Sequence, residues 1–264
     1  TTTTQPPEPP PPQPPPPPHH HRYHHHHHHP NHHQQQKHTH HHNHQHNNNP
    51  HNHPQQYLPG QYIDILLRDG RRRSFSIANA AAEGEDLQLH VRRVPDGHFT
   101  EQVFTTMKAR DLLRFQGPLG TFFLREEGTH PVIVVGGGTG LAPLKAILDV
   151  ALDKFPDREF HLFWGVRSME DLYLDNEVRR WSDTHRNLSY TPVLSEPKAE
   201  DNWDGKTGFV HEVVLRQHPA LNDFEVYASG PPPMIEALRN TYPAHGLIPE
   251  RLFFDSFEFT ADAE

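Results

Sequence analysis

The sequence contains no cysteine, and this absence excludes several kinds of site. Disulfide bonds, zinc sites with thiolate ligands and cysteine-bound iron–sulfur clusters all require cysteine side chains. A chain without cysteine also suits a reducing compartment, so we expect a cytoplasmic protein. No apolar run reaches the roughly 18 residues of a membrane-spanning helix, and no signal-peptide pattern is present, so we expect no membrane contact.

Basic residues are also scarce in the part of the chain that has the composition of a folded protein. Residues 57–264 contain 32 Asp and Glu but only 22 Lys and Arg, which gives a net charge of −10. An excess of negative charge repels polyanions. We therefore expect neither a nucleic acid nor an anionic membrane surface as the main partner.

Apolar and charged side chains are nearly missing from residues 1–56. This stretch holds 19 of the 27 histidines and 14 of the 28 prolines, and its charged residues are Glu8, Arg22 and Lys37. A segment with so little to bury cannot offset its chain entropy, so we predict a disordered tail. Imidazoles bind nickel, copper and zinc, so one interpretation is metal handling. The other is a low-complexity tail without a selected role, and we assign no metal-binding residues.

Short apolar segments separated by turn residues begin at residue 57. The pattern predicts strands over 61–67, 73–78, 86–92 and 112–115, and one helix over 99–107. Because strands dominate, we predict a small domain over residues 57–127 that is all-β apart from this helix.

Strands and helices alternate after residue 128. The predicted strands are 131–135, 159–164, 188–194, 224–228 and 251–258, and the predicted helices are 141–154, 171–183, 208–217 and 232–243. This alternation predicts a doubly wound α/β domain over residues 128–264 with a five-stranded parallel sheet. Ligands of such sheets bind beyond the carboxyl ends of the strands.

Two glycine-containing turns fall at that edge of the predicted sheet. Residues 131–135 run into Gly136-Gly-Gly-Thr-Gly140 and then into a helix, an order in which backbone N–H groups and the helix dipole hold a phosphate. Alone, this loop also fits a glycine-rich turn of any α/β protein. Residues 226–234 form the second turn, in which Ser229 and Gly230 precede three prolines and Met234.

Three motifs in this order resemble the ferredoxin–NADP reductase superfamily. They are Arg73-Ser-Phe-Ser76, Gly136-Gly-Gly-Thr-Gly140 and Ser229-Gly-Pro-Pro-Pro-Met234, and Asp171-Leu-Tyr173 supports them. The similarity is strongest to the reductase half of CDP-deoxyglucoseen reductases and to reductase components of bacterial oxygenases. The resemblance implies an antiparallel flavin-binding β-barrel followed by a nicotinamide-binding α/β domain. It also implies a FAD-dependent oxidoreductase that passes hydride from NADH or NADPH to flavin.

The resemblance implies an FAD site in the first domain. Arg73 would pair with the FAD pyrophosphate, and Phe75 would lie against the isoalloxazine ring. The whole implied set is Arg73, Ser74, Phe75, Ser76, His90, Val91, Arg92, Gly97, His98, Phe99 and Thr100. Without the resemblance, the first four residues also fit an ordinary amphipathic strand, and Arg92 also fits a solvated charge.

The resemblance places a nicotinamide nucleotide on the second domain. The implied residues are Gly137, Gly138, Thr139, Gly140, Gly165, Arg167, Glu196, Gly230, Pro231, Pro232 and Met234. Glu196 stands where relatives that prefer NADPH place a cation, and its charge would repel the 2′-phosphate. NADH is therefore favoured, while Arg167 keeps NADPH as the alternative.

Three residues are implied at the place of hydride transfer. Ser76 would hydrogen-bond near flavin N5, and Ser229 occupies the position that is usually cysteine in the family. Phe257 would cover the other face of the flavin. As an alternative, Phe257 is a core aromatic on an inward strand face.

The sequence departs from the family before Leu58, where the first strands of the barrel should lie. The composition of residues 1–56 does not suit paired strands, so we expect a truncated barrel. Without a cluster in this sequence, the electron acceptor would be a separate redox protein, such as an iron–sulfur protein, or a small molecule. The alternative is a non-catalytic NAD-binding module with a truncated flavin domain and a metal-binding histidine tail.

Overall fold

The structure is a computed structural model that describes residues 57–81 and 86–257. The predicted disordered tail, residues 1–56, lies outside the described residues, and so does the predicted loss of the first barrel strands. Among the described helices, none has the length and apolar character that crossing a membrane requires.

Residues 57–81 and 86–127, called the antiparallel region here, contain three strands and one helix. The elements are β1 (Tyr62–Leu66), β2 (Arg72–Ser76), α1 (His98–Thr105) and β3 (Arg114–Leu119). The strands pair in the antiparallel order β2-β1-β3. Alternation along β1 buries Ile63 and Ile65 against Phe99 and Val103 of α1, and this packing forms the core of the region.

The strand predicted over 86–92 is reduced to a single bridge between Leu89 and Ile77. Asn79 explains the difference, because its side chain forms hydrogen bonds with backbone groups that would otherwise pair with a neighbouring strand. The Asn79 amide nitrogen donates to the carbonyl of Asp86, and its oxygen accepts from the N–H of Gln88.

Residues 128–257, called the parallel region here, form a doubly wound α/β fold as predicted. The strands are β4 (Val132–Gly137), β5 (Phe160–Val166), β6 (Leu188–Leu194), β7 (Lys206–Thr207), β8 (Glu225–Gly230) and β9 (Leu252–Ser256). The helices are α2 (Leu141–Lys154), α3 (Asp175–Thr184), α4 (Val210–Gln217) and α5 (Pro232–Thr241). All neighbours pair in parallel, in the order β7-β6-β5-β4-β8-β9.

The sheet has six strands rather than the predicted five. The additional strand, β7, contains only two residues and pairs with Val193 and Leu194 of β6. Trp203 holds the turn before it, since the indole N–H donates to the carbonyl of Lys206. Two residues are too few to give a periodic pattern in the sequence.

Apolar side chains cover both faces of the parallel sheet. Every residue of β4 is buried, and its side chains alternate between two core clusters. Val132 and Val134 pack on the side of α2, whereas Ile133 and Val135 pack on the side of α4 and α5. This two-sided burial fixes the carboxyl ends of the strands, where the loops that matter for function begin.

Candidate functional site

Two cavities lie beside the carboxyl edge of the parallel sheet. The first, called the edge cavity, has a volume of about 460 Å³ and is lined by residues that follow β4, β5, β6, β7 and β8. The second, called the interface cavity, has a volume of about 420 Å³ and lies between the antiparallel region and the end of β9. Arg92 and Thr139 line both cavities, so the two spaces meet at these residues.

The glycine-rich loop brings backbone to the wall of the edge cavity. A Cβ atom on Gly137 would lie 2.9 Å from Cδ of the rigid Pro231 ring and 2.8 Å from the sulfur of Met234, so glycine lets the loop pack against the turn before α5. Gly138 has a φ of +57° and open space around its Cα atom. A bound group can therefore approach the loop closely.

Gly140 packs against the neighbouring strand rather than facing the cavity. A Cβ atom there would collide with the carbonyl oxygen of Ser229. The glycine thus holds the start of α2 against the end of β8.

The edge cavity gathers most of the residues that the sequence assigned to a nucleotide. Its wall contains Gly137, Gly138, Thr139, Gly165, Arg167, Pro231 and Met234. The wall does not include Gly140, Glu196, Gly230 or Pro232. Glu196 is exposed and immediately follows Ser195, which does line the cavity, and its backbone N–H donates to the carbonyl of Arg167.

Cations near the end of β5 and β6 are paired with carboxylates. The Arg167 guanidinium lies 3.7 Å from Asp171, and the Lys198 ammonium lies 2.7 Å from Glu170. The hydrogen bond from Lys198 lowers the pKa of Glu170, and the same bond raises the pKa of Lys198. This end of the cavity therefore offers little unbalanced positive charge.

Other residues of the edge cavity were not predicted from the sequence. They are Val166, Asp171, Tyr173, Ser195, Gly208, Phe209, Val210, His211 and Pro233. Phe209 is 62% exposed and stacks on the His211 ring at 5.8 Å, so it presents a flat apolar surface at the cavity. The motif Asp171-Leu-Tyr173 was a signal for two of these residues, whereas nothing in the local pattern distinguishes Phe209 from a core residue.

The interface cavity gathers most of the residues that the sequence assigned to a flavin. Its wall contains Arg73, Ser74, Phe75, Ser76, His90, Arg92, Gly97, Phe99, Thr100 and Phe257. Val91 and His98 are not part of the wall. Val91 points into the core because side chains alternate along an extended segment, and His98 is exposed on the first turn of α1.

The turn before α1 has the shape of an anion cradle. A Cβ atom on Gly97 would lie 2.7 Å from the hydroxyl oxygen of Thr100, which donates to the Gly97 carbonyl. No side chain caps the N-terminus of α1, so its first N–H groups are available to a ligand. Arg73 and Arg92 add positive charge to the same cavity.

Ser76 forms a hydrogen bond that joins the antiparallel region to β9. Its hydroxyl donates to a carboxylate oxygen of Asp255 at 3.2 Å, and both residues line the interface cavity. Burial raises the pKa of Asp255, while the bond from Ser76 acts in the opposite direction. Asp255 was not predicted as a site residue, because a lone aspartate on a strand carries no motif of its own.

Ser229 lies next to Asp255 in the register of β8 and β9, but it lines neither cavity. The residue is fully buried, and its hydroxyl oxygen has no hydrogen-bond partner among the described residues. Its proposed role at the place of hydride transfer therefore stays a prediction.

Two family models match the sequence. The model described as oxidoreductase FAD-binding domain matches residues 37–124, and the model described as oxidoreductase NAD-binding domain matches residues 134–240. The second match begins within β4 and ends within α5, so it contains the glycine-rich loop and the turn before α5.

Several known proteins are similar over most of this chain. The CDP-6-deoxy-L-threo-D-glycero-4-hexulose-3-dehydrase reductase of Yersinia pestis is 43% identical over 202 residues, which are 76% of this chain and 60% of that protein. The ferredoxin–NAD(P)+ reductase component of the naphthalene 1,2-dioxygenase system of Pseudomonas putida is 32% identical, with 77% and 61% covered. The crystal structure of an Amycolatopsis cytochrome P450 reductase superposes with a TM-score of 0.73 at 34% identity, covering 78% of this chain and 62% of that one. The chain thus spans about 60% of the length of the curated relatives it matches.

Proposed function

Because the chain belongs to the ferredoxin–NADP reductase superfamily, we propose that it is a FAD-dependent oxidoreductase that oxidises NADH and passes the electrons to an external acceptor. The interface cavity would hold FAD, and the edge cavity would hold the nicotinamide nucleotide. One observation carries this assignment: the two cavities meet at Arg92 and Thr139, as two ligands that exchange a hydride require.

The interface cavity suits a flavin dinucleotide in charge and shape. Arg73 and the uncapped start of α1 would receive the two phosphates, since a guanidinium fork and backbone N–H groups both bind phosphate oxygens. Phe75 and Phe99, whose ring centroids are 5.5 Å apart, supply an aromatic wall for the ring system.

The edge cavity suits a second dinucleotide. The loop Gly137–Thr139 would receive its pyrophosphate at the N-terminal end of α2, where the helix dipole favours negative charge.

Bound FAD supplies the hydride-accepting chemistry, and the protein supplies position and electrostatics. Ser76, which is hydrogen-bonded to Asp255 in the wall of the interface cavity, would direct its hydroxyl toward the flavin. Asp255, whose pKa is raised by burial, would keep a proton close to that hydroxyl over a wider pH range than an exposed aspartate. Phe257 would exclude water from the same cavity.

We propose NADH rather than NADPH as the donor. Arg167 and Lys198 are already paired with Asp171 and Glu170, and exposed Glu196 adds negative charge beside Ser195. A 2′-phosphate at this end would meet an arginine whose charge is offset by Asp171 and would approach the carboxylate of Glu196. A ribose hydroxyl can instead donate to a carboxylate.

The electron acceptor would be a separate redox protein, such as an iron–sulfur protein, or a small molecule. The relatives support this proposal, because the naphthalene dioxygenase relative is named as a ferredoxin–NAD(P)+ reductase component. These 264 residues contain no cysteine with which to bind a cluster. We also propose a cytoplasmic location and a domain boundary at residues 127 and 128.

Steady-state reduction of a dye acceptor tests this function. Purified chain with added FAD should reduce ferricyanide with NADH as donor, and the rate should fall to the background when FAD is omitted after removal of bound flavin. No FAD-dependent rate with either nucleotide would contradict the proposal and would favour a non-catalytic NAD-binding module.

A further inference from the structure

Tyr173 and His90 form a direct contact between the walls of the two cavities. Tyr173 lines the edge cavity and belongs to the parallel region, whereas His90 lines the interface cavity and belongs to the antiparallel region. The Tyr173 hydroxyl lies 2.7 Å from Nδ1 of His90, and the rings meet edge to face with centroids 5.2 Å apart. The contact joins residues that are 83 positions apart in the sequence.

The Tyr173 ring also contacts Trp164. The two rings meet edge to face at 5.1 Å, and Trp164 is fully buried. Its indole N–H donates to the carbonyl of Gly138 at 2.9 Å. A continuous series of contacts therefore runs from the glycine-rich loop through Trp164 and Tyr173 to His90.

The chemistry of Tyr173 allows its hydroxyl to donate to His90. Burial, together with the nearby carboxylate of Glu177, raises the pKa of Tyr173 far above its usual value, so the hydroxyl keeps its proton. It can donate to Nδ1 of His90 when the ring proton of the imidazole lies on Nε2. In that arrangement Tyr173 holds the imidazole in one tautomer and one orientation.

We propose that Tyr173 is a positioning residue that acts through His90 to fix how the nucleotide site faces the flavin site. The proposal rests on the function proposed above, because it concerns the approach of two bound ligands. Small displacements at such a junction lower a transfer rate strongly while leaving each separate binding site intact.

Tyr173→Phe removes the hydroxyl and keeps the ring contacts with Trp164 and His90. Tyr190→Phe is the matched control, because the Tyr190 hydroxyl also donates to a side chain, Asp175 at 2.9 Å, but lines neither cavity. We expect Tyr173→Phe to slow flavin reduction at saturating NADH about tenfold. The dissociation constants for FAD and NAD⁺ should stay within about threefold of wild type, and Tyr190→Phe should change none of the three quantities.

Two further measurements separate positioning from a general structural role. Nitrogen NMR of the flavin-free protein at pH 8 should show an unprotonated Nδ1 for His90, with the signal identified by its loss in His90→Asn. In the double variant, His90→Asn with Tyr173→Phe, flavin reduction should be no slower than in His90→Asn alone. Both substitutions remove the same hydrogen bond, so their effects should not add.

Three results would overturn the proposal: an unchanged reduction rate in Tyr173→Phe, losses that add in the double variant, or a proton on Nδ1 of His90. If Tyr173→Phe does not fold, the nitrogen spectrum of the wild type decides. A wild-type protein that binds FAD but is not reduced by NADH would instead refute the proposed function.

Discussion

The parallel and antiparallel regions differ in how their described residues are buried. The six-stranded sheet of the parallel region has an apolar cluster on each face, and every residue of β4 and β8 is buried. The three described strands of the antiparallel region share one smaller cluster, centred on Ile63, Ile65 and Phe99. The parallel region therefore provides rigid strand ends for a nucleotide, while the antiparallel region contributes a polar, arginine-containing wall.

Two ion pairs, one from each region, differ in burial in the same way. Arg158 and Glu225 pair at 3.0 Å in the parallel region, with side chains only 5% and 7% exposed. In the antiparallel region, Arg93 and Glu101 pair at 2.7 Å with side chains 53% and 46% exposed. A buried pair leaves an uncompensated charge when one partner is lost, whereas an exposed pair leaves a solvated one.

The largest expected effect comes from breaking the buried pair. Arg158→Ala should lower the free energy of unfolding by about 3–5 kcal/mol, since Glu225 would be left buried without its cation. The exposed counterpart, Arg93→Ala, should change it by less than about 1 kcal/mol. Denaturant unfolding followed by circular dichroism measures both values. Equal losses in the free energy of unfolding would contradict the expected difference between the buried and the exposed pair.

The next effect concerns the arginines in the wall of the interface cavity. Arg73→Ala should weaken FAD binding by about 1.5–3 kcal/mol, roughly a 10-fold to 150-fold rise in the dissociation constant, because a charged phosphate contact is lost. Arg114→Ala is the control, since Arg114 is an exposed arginine of the same sheet outside both cavities. Titration of flavin-free protein with FAD gives both constants. An effect of Arg114→Ala as large as that of Arg73→Ala would show that only general charge matters.

The choice between NADH and NADPH tests the nucleotide site of the parallel region. Glu196→Arg should raise the ratio of kcat/KM for NADPH over NADH about tenfold, which is about 1.4 kcal/mol, because repulsion of the 2′-phosphate is replaced by attraction. Glu200→Arg, an exposed change in the same segment, should leave the ratio close to wild type. A wild-type protein that already prefers NADPH tenfold would make Arg167 the dominant residue and would contradict the assignment of Glu196.

The smallest effect is a pH dependence located in the parallel region. Burial lowers the pKa of His161 and His218 below the usual 6.5, and their rings lie 5.0 Å apart. Their contribution to stability is complete above pH 6.5 and is lost as the pH falls through the folded-state pKa, because the unfolded chain binds more protons. The variant with His161→Gln and His218→Gln should therefore lose less stability on acidification than wild type.

Thermal unfolding across that pH range checks this prediction. A wild-type profile in the variant with both changes would place the acid sensitivity elsewhere.

Local patterns in the sequence predicted much of the fold, and the resemblance to the reductase family pointed to many residues of the cavity walls. Buried β-branched strands and the glycine-rich loop have signals within a few residues, so the alternating strands and helices after residue 128 were placed nearly as the structure has them. Motif residues such as Arg73 and Gly137 line the two cavities, because each motif specifies the shape of the backbone as well as the side chains.

Features that depend on distant partners could not be predicted in this way. The two-residue strand β7 exists only because β6 offers an edge, and the Asn79 side chain replaces a ladder that the alternation over 86–92 suggested. The contacts of Ser76 with Asp255 and of Tyr173 with His90 join positions far apart in the chain. Only the folded topology brings such pairs together.

Anaerobic reduction of the FAD-loaded chain by NADH tests the assignment of the two cavities most directly. If the interface cavity holds FAD and the edge cavity holds the nucleotide, one equivalent of NADH should bleach the visible absorbance of the protein-bound flavin. The bleaching should occur in a single phase whose rate saturates with NADH concentration, and air should restore the absorbance. Protein that binds FAD and NAD⁺ but keeps an unchanged flavin spectrum after NADH addition would contradict the assignment.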